Sequence, residues 1–445
     1  MRVSLMPFLL PLFVSSTLTA QEHAHAGAAD SVAGDSVPIS SAAGIVSMRP
    51  GPIGEPRNRE SSGTAWLPDA SPMHALHGQG AGWELMLHGS LYVHYLHDRG
   101  DRGREQFGST NWVMGMARRP LLGGDMTLRA MLSADPVTAD ECGYPDLLAT
   151  GEFCDQEPLH DRQHPHDMFM ELTAVYERAV STDLAVQVYA GPVGEPALGP
   201  VAFPHRISSF PNPIAPIGHH WLDSTHIAFG VATAGLYGRK WKAEASVFNG
   251  REPDGDRFDL DLDALDSYTG RLWVMPSERW ALQVSAGRLN DAEVHEFGDP
   301  RIDLTRVTMS ATYHRPLPRS GLWASSMAFG RNQEGSSATR ALLLETEVNL
   351  AERDLFYGRF EVVEKTGDDL VLPEDFGMRQ FTVGKLGLGY VRQFEPVAGL
   401  APGLGAGMTL ARVPVGLEPV YGARSPTGLQ LFFRLRPVPM HETVH

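Results

Sequence analysis

Residues 83–97 read Trp83-Glu84-Leu85-Met86-Leu87-His88-Gly89-Ser90-Leu91-Tyr92-Val93-His94-Tyr95-Leu96-His97. Leu85, Leu87, Leu91, Val93 and Tyr95 fall on one side of an extended chain, and Glu84, His88, Ser90 and His94 fall on the other. Side chains alternate across a strand, so this segment predicts a strand with one apolar and one polar face. The same period of two recurs downstream. Met126, Leu128, Ala130 and Leu132 oppose Thr127 and Arg129, and Trp241, Ala243, Ala245 and Val247 oppose Lys242, Glu244 and Ser246. Leu342, Leu344 and Val348 oppose Glu345, Glu347 and Asn349; Phe360 and Val362 oppose Arg359 and Glu361. Leu429, Leu431, Phe433 and Leu435 oppose Gln430, Arg434 and Arg436.

The links between these strands alternate in length. Short ones fall at 119–124, 179–182, 237–239, 275–279, 314–321, 351–353 and 395–399. Longer ones fall between them, at 97–106, 134–167, 192–225, 250–266, 290–303, 332–340, 365–377 and 413–427. Tight turns alternating with long loops is the layout of an up-and-down outer-membrane barrel, whereas a soluble sandwich shows Greek-key excursions. The fold expected is therefore all-β: a transmembrane antiparallel barrel of about 16 strands, with long loops partly folded into the lumen. Glu84, His88, His94, Arg129, Glu171, Glu244, Arg271, Arg306, Glu345, Arg359, Glu361 and Arg434 stand on the polar face and are expected to line a pore. Such a lumen would hold water, so charge there costs little. Trp83, Tyr95, Tyr176, Tyr189, Tyr237, Trp241, Trp280, Tyr313 and Trp323 suit interfacial girdles.

Composition agrees with this address. The chain has 445 residues and a net charge of −16, which argues against nucleic acid as a partner. Met1-Arg2, the apolar run 5–14 and Leu18-Thr19-Ala20 read as a signal peptide over 1–20, for export through the Sec pathway. Residues 21–59 read as a flexible tail, 60–80 as a docking or plug-like segment, 81–436 as the barrel and 437–445 as a C-terminal tail. The last departs from barrels that end on an aromatic residue. Two cysteines, Cys142 and Cys154, read as a loop disulfide in an exported protein. Outer-membrane lipid, the barrel-assembly machinery and small polar solutes or ions are the partners expected; the sequence does not give an oligomeric state.

Several stretches resemble an uncharacterised family of exported outer-membrane barrel proteins. They are ESSGTAWLP from Glu60, LHDRQHPHD from Leu159, GEPALGPVAFPHR from Gly194, GHHWLDSTHIAF from Gly218, FNGREPD from Phe248 and RFEVVEK from Arg359. The resemblance implies a barrel in the outer membrane, loosely associates such chains with copper handling, and supplies no catalytic residues.

The motif-rich region 159–229 carries seven histidines: His160, His164, His166, His205, His219, His220 and His226. Three readings are open. They pin folded loops to the wall through hydrogen bonds; they bind copper or another divalent transition metal with Asp161, Asp167 or Asp223; or they tune passage through a pore. Gln21-Glu22-His23, Met73-His74, His77, Met440-His441 and His445 add nitrogen and sulfur donors to the metal reading. A barrel-rim hydrolase is a further reading, since Asp223, Ser224 and His226 sit close together, but no G-x-S-x-G elbow accompanies them. A soluble β-rich binding protein is the remaining one. The reading adopted is a non-enzymatic, porin-like channel for small polar solutes or ions, with a metal-binding or metal-resistance protein as the alternative.

Overall fold

The structure is a computed structural model that describes residues 38–41, 44–47, 49–294, 298–439 and 441–442. The signal segment, Gln21-Glu22-His23, Met440 and His445 lie outside the described residues.

Sixteen antiparallel strands close into a barrel. In chain order they are β1 (Trp83–Asp98), β2 (Glu105–Leu121), β3 (Gly124–Leu132), β4 (Phe169–Ala179), β5 (Ala185–Gly194), β6 (Ala228–Gly238), β7 (Trp241–Phe248) and β8 (Ser267–Ser277). Then follow β9 (Trp280–Glu293), β10 (Ile302–Leu317), β11 (Gly321–Glu334), β12 (Ser337–Leu350), β13 (Asp354–Lys365), β14 (Phe381–Gln393), β15 (Leu400–Arg412) and β16 (Thr427–Pro437). Each strand pairs with the next, and β16 closes on β1 from Gly428↔Asp98 to Leu435↔Leu91. The lower half of β1 has no partner in β16, and the short strand Leu76–Gly80 pairs there instead. The short strand thereby covers the part of that edge from Trp83 to Leu87.

The alternation is inverted relative to a water-soluble protein. Along β7, Trp241 and Val247 are 38% and 47% exposed, whereas Lys242 and Ser246 are 0% and 4% exposed. Leu236, Leu272, Val284, Met309, Phe356 and Leu388 continue the exposed apolar band around the wall. A band of this extent is stable only against hydrocarbon, which places the strands across a membrane. No helix among the described residues is long and apolar enough to cross one. At the tight-turn end Trp280, Tyr313 and Trp323 form an aromatic cluster, with ring centroids 4.8 and 5.5 Å apart. Tyr189 and Tyr237, expected in that girdle, point inward and are buried.

The long–short alternation holds with one revision. Residues 332–340, expected as a long loop, are mostly strand, because β11 and β12 pair from Glu334↔Ser337 and leave a two-residue turn. Two long connections fold into the barrel: 133–168, which carries the hairpin Tyr144–Cys154/Glu157–Gln163, and 195–227. Cys142, just before that hairpin, is disulfide-bonded to Cys154, beside its turn.

The lumen is a packed core. Leu147, Leu148 and Ala149 of the hairpin meet Ile217, Trp221 and Leu222 of the second loop, against Leu343 and Val363 of the wall. Nearer the turns, Ile53, Trp66 and Leu67 pack with Val201 and Ile207 against Trp273 and Ala324. The inserted N-terminal segment thus begins earlier than residue 60. Residues 49–59, assigned to the tail from sequence, include buried Ile53, Arg57 and Arg59.

Candidate functional site

The site is the filled lumen and the cavities left at its two ends. Loop 195–227 is rich in proline, which denies it ladder structure, so its backbone polar groups need other partners. The wall and the loop's own Arg206 supply them. Arg206 donates from Nε to Glu345 Oε2 (2.6 Å) and from Nη1 to Asp223 Oδ2 (3.0 Å) and the Val201 carbonyl (2.8 Å). Arg359 donates to Glu345 Oε1 (2.6 Å), the Ile214 carbonyl (2.8 Å) and Ser209 Oγ (2.8 Å). The Gly218 N–H donates to Glu361 Oε1 (3.0 Å). Arg271 donates to Glu244 Oε1 (2.8 Å), the Gly199 carbonyl (3.1 Å) and Thr64 Oγ1 (3.0 Å).

The stretch Glu60–Pro68 joins in the same way. Lys242 and Arg129 donate to the carbonyls of Thr64 and Gly63, and Trp66 lies between Arg59 and Lys242 at 4.6 and 4.8 Å. Charges taken from sequence as pore lining therefore face inward, but most are buried against inserted chain rather than bathed in water. Glu171, Glu244, Arg271, Arg306, Glu345, Arg359, Glu361 and Arg434 are all buried, and His94 is buried beside Tyr144. Glu84 and His88 of that group border a cavity in the tight-turn half.

Of the seven histidines, five come together. His219 has ring centroids 6.1, 5.5 and 5.2 Å from His164, His220 and His226, and His166 lies 5.4 Å from His226. Each is held by a neighbour: His219 Nδ1 is 2.9 Å from Asp223 Oδ1, and His166 Nδ1 is 2.8 Å from Asp135 Oδ2. His226 Nδ1 is 2.8 Å from the Asp223 carbonyl, and His220 Nδ1 is 3.0 Å from Glu252 Oε1. His164 Nε2 is 3.2 Å from Glu152 Oε1, a contact of ion-pair distance without hydrogen-bond alignment. His160 stands apart on the hairpin, 2.8 Å from Asp161 Oδ2, and His205 packs at 4.7 Å on Trp112.

Among the described residues the seven do not converge on one point; only His220 joins a group of closely set donor atoms, with Glu252 and Glu293. Burial holds the imidazoles of His164, His205, His219, His220 and His226 below their ordinary range. Burial raises Asp223 too, but Arg206 and the bond from His219 outweigh it and hold the carboxyl well below the carboxylate range. Ser224 Oγ accepts from Arg306 (2.9 Å) while His226 is engaged by the Asp223 carbonyl, so the two do not form a nucleophile–base pair.

The two end cavities differ in chemistry. The one at the tight-turn end, about 1020 Å³ with the space open to solvent, is bordered by His77, His88, His205, Met86, Met114 and Met116. The one at the long-loop end, about 820 Å³ on the same measure, is bordered by Glu152, Glu252, Glu293, Glu334, Asp368 and Asp369 with His220. Sequence reasoning missed Glu152, Glu252 and Glu293 as site residues. Only the acidic residue inside FNGREPD, which is Glu252, could have signalled them.

A closed barrel with an apolar outer band and a charged, loop-filled interior defines an outer-membrane β-barrel of porin architecture. No protein-family model matches the sequence, and no curated protein matches it. Solved structures with similar folds include an anion-selective porin from Comamonas acidovorans (12% identity, TM-score 0.47, covering 80% of this chain and 99% of that one). They also include OmpF of Salmonella typhi in complex with daunomycin (8%, 0.48, 81% and 100%) and the high-pH structure of Pseudomonas putida OprB (10%, 0.49, 80% and 94%).

Proposed function

We propose that this chain is a narrow, porin-like outer-membrane channel for small polar solutes and ions that favours cations. The observation that carries the reading is the cavity at the long-loop end: six carboxylates border it, two of them paired with Arg257 and Arg306 behind the lining, and no lysine or arginine is among its described lining residues. A mouth of one sign concentrates counter-ions and excludes co-ions. Behind it, loop 195–227 constricts the lumen. Single-channel recording in planar bilayers tests the proposal. The expected result is a conductance well below that of an open sixteen-strand pore, with a reversal potential in a salt gradient showing cation preference. Anion preference, or no current at all, would overturn it.

A second reading, binding of a soft transition metal such as copper, is favoured by the other cavity, whose imidazoles and thioethers are the donors that suit it. Competition for Cu(I) against a chromogenic chelator, with Met86, Met114 and Met116 changed together to Leu, tests that reading. Equal affinity in the two proteins would remove it.

A further inference from the structure

We infer that His220, Glu252 and Glu293 form a binding site for a divalent first-row transition-metal ion at the long-loop mouth of the barrel. Their donor atoms lie within 4.8 Å of one another, and they come from three separate elements. His220 sits on the short turn of helix His219–Leu222, fixed to the wall by Asn332 Nδ2 donating to its carbonyl (3.0 Å) and by the neighbouring Trp221 Nε1 donating to Thr339 Oγ1 (2.8 Å). Glu252 follows β7, and its N–H donates to the Ala292 carbonyl (2.9 Å). Glu293 ends β9.

Zinc-type ions hold nitrogen and oxygen donors at about 2.0–2.2 Å, which sets neighbouring donors about 3.3 Å apart in a tetrahedron. His220 Nδ1 and Glu252 Oε1 are already 3.0 Å apart, so small side-chain rotations complete the arrangement. The imidazole is only 7% exposed and its Nε2 has no hydrogen-bond partner. Gly151 of the hairpin keeps the space at the ring's edge, where an added Cβ would lie 2.3 Å from Nε2. Open positions on the ion would face the cavity.

The surrounding charge favours a cation there. Arg306 pairs with Glu293 at 3.8 Å, and Glu152 is taken up by Arg257 and His164, which leaves Glu252 facing His220 without an arginine or lysine partner at ion-pair distance among the described residues. One imidazole and two carboxylates select transition ions over Mg²⁺ or Ca²⁺, which take all-oxygen shells. The site shares its cavity with the cation-channel reading but not its claim of conduction. Current tests one, and equilibrium binding tests the other.

Zn²⁺ alone, titrated calorimetrically into the chelator-stripped full-length chain in detergent, is the test. One ion should bind per chain and persist in excess Mg²⁺. Affinity should fall more than roughly 100-fold in E252Q/E293Q, beyond what loss of outer-shell partners costs. A variant of the exposed carboxylate group Asp254, Asp259 and Asp261, changed together to Asn, should bind as the parent does. No binding, equal binding in E252Q/E293Q, or loss only in the Asp254/Asp259/Asp261 variant would overturn the proposal. X-ray absorption of the zinc-loaded parent removes dependence on variant folding: one imidazole among oxygen ligands is expected, and two or more imidazoles would refute the site.

Discussion

Arg206→Ala removes the guanidinium through which loop 195–227 is tied to the wall. Three bonds go with it: one to Glu345 of the wall, and two within the loop, to Asp223 and the Val201 carbonyl, that hold it in the docked shape. Removing one partner of a buried pair costs about 3–5 kcal/mol, because the other charge stays buried without it. Here the lower figure applies: Glu345 keeps Arg359 at 2.6 Å, and Asp223 keeps His219 at 2.9 Å. At about 1.4 kcal/mol per decade, 3 kcal/mol multiplies the population of the released loop by roughly 150. In planar bilayers the open-time fraction should rise by that factor while it stays small, and limited proteolysis within 195–227 should quicken in step. The barrel should remain folded, since β11 to β13 keep their ladders. Arg206→Lys, which keeps charge but not the fork, should fall between the two. Parental gating and proteolysis in Arg206→Ala would refute the assignment of Arg206 as the tie.

Acidification should loosen the same loop. Buried His164, His205, His219, His220 and His226 are held below the free value of about 6.5, so the packed state binds fewer protons than the released one as pH falls through that value. Asp167, Glu195 and Glu293, pushed up to about 7 by burial, and Glu252, pushed up to about 8, oppose this, four groups against five. Packing should be strongest above about pH 7 and weaken towards pH 5; an opening frequency independent of pH over that span would contradict it. Reducing Cys142–Cys154 should cost the hairpin about 3 kcal/mol on chain-entropy grounds, for a 12-residue separation. Faster proteolysis of 144–163, with the heat-modifiable mobility of the barrel unchanged, would show it; equal proteolysis would not. Gly330→Val should lift helix His219–Leu222 from the wall, because a Cβ there would lie 2.1 Å from the Trp221 carbonyl oxygen. Quenching of Trp221 fluorescence by a small polar quencher should increase, and an unchanged quenching constant would argue against that contact.

The barrel was legible because lipid imposes one rule on every strand. Leu272, Val284, Met309 and Leu388 face outward whatever they pair with, so a period of two survives in a single sequence. The rule weakens where strands leave the membrane. Gln333, Glu334, Ser337 and Thr339 look like a loop by composition, yet they continue the ladder beyond the apolar band. Tyr189 and Tyr237 were misplaced for a related reason: an aromatic residue near a strand end satisfies a girdle or a packed lumen equally well by pattern alone. The Tyr237 hydroxyl lies 2.9 Å from Glu177 Oε1 of the wall and 3.0 Å from Glu55 Oε1, a partner that only the folded N-terminal segment brings near.

What the alternation could not disclose is that the lumen is filled. It gives the face on which Glu345 stands, not that Arg206, 139 residues earlier, will occupy it. In a water-filled pore Glu345 and Arg359 would cost little and be worth little. Buried, they need partners of correct geometry, and Arg206, Ile214 and Ser209 supply them from one loop. Such pairs add little net stability, but they penalise every other docking of the loop, because a shifted register leaves charge unpaired. The same logic explains the histidines. Asp223, Asp135 and Glu252 each take one ring nitrogen, so most of the cluster works as fastening, and a donor set open to an ion remains only where His220 meets two carboxylates at the mouth.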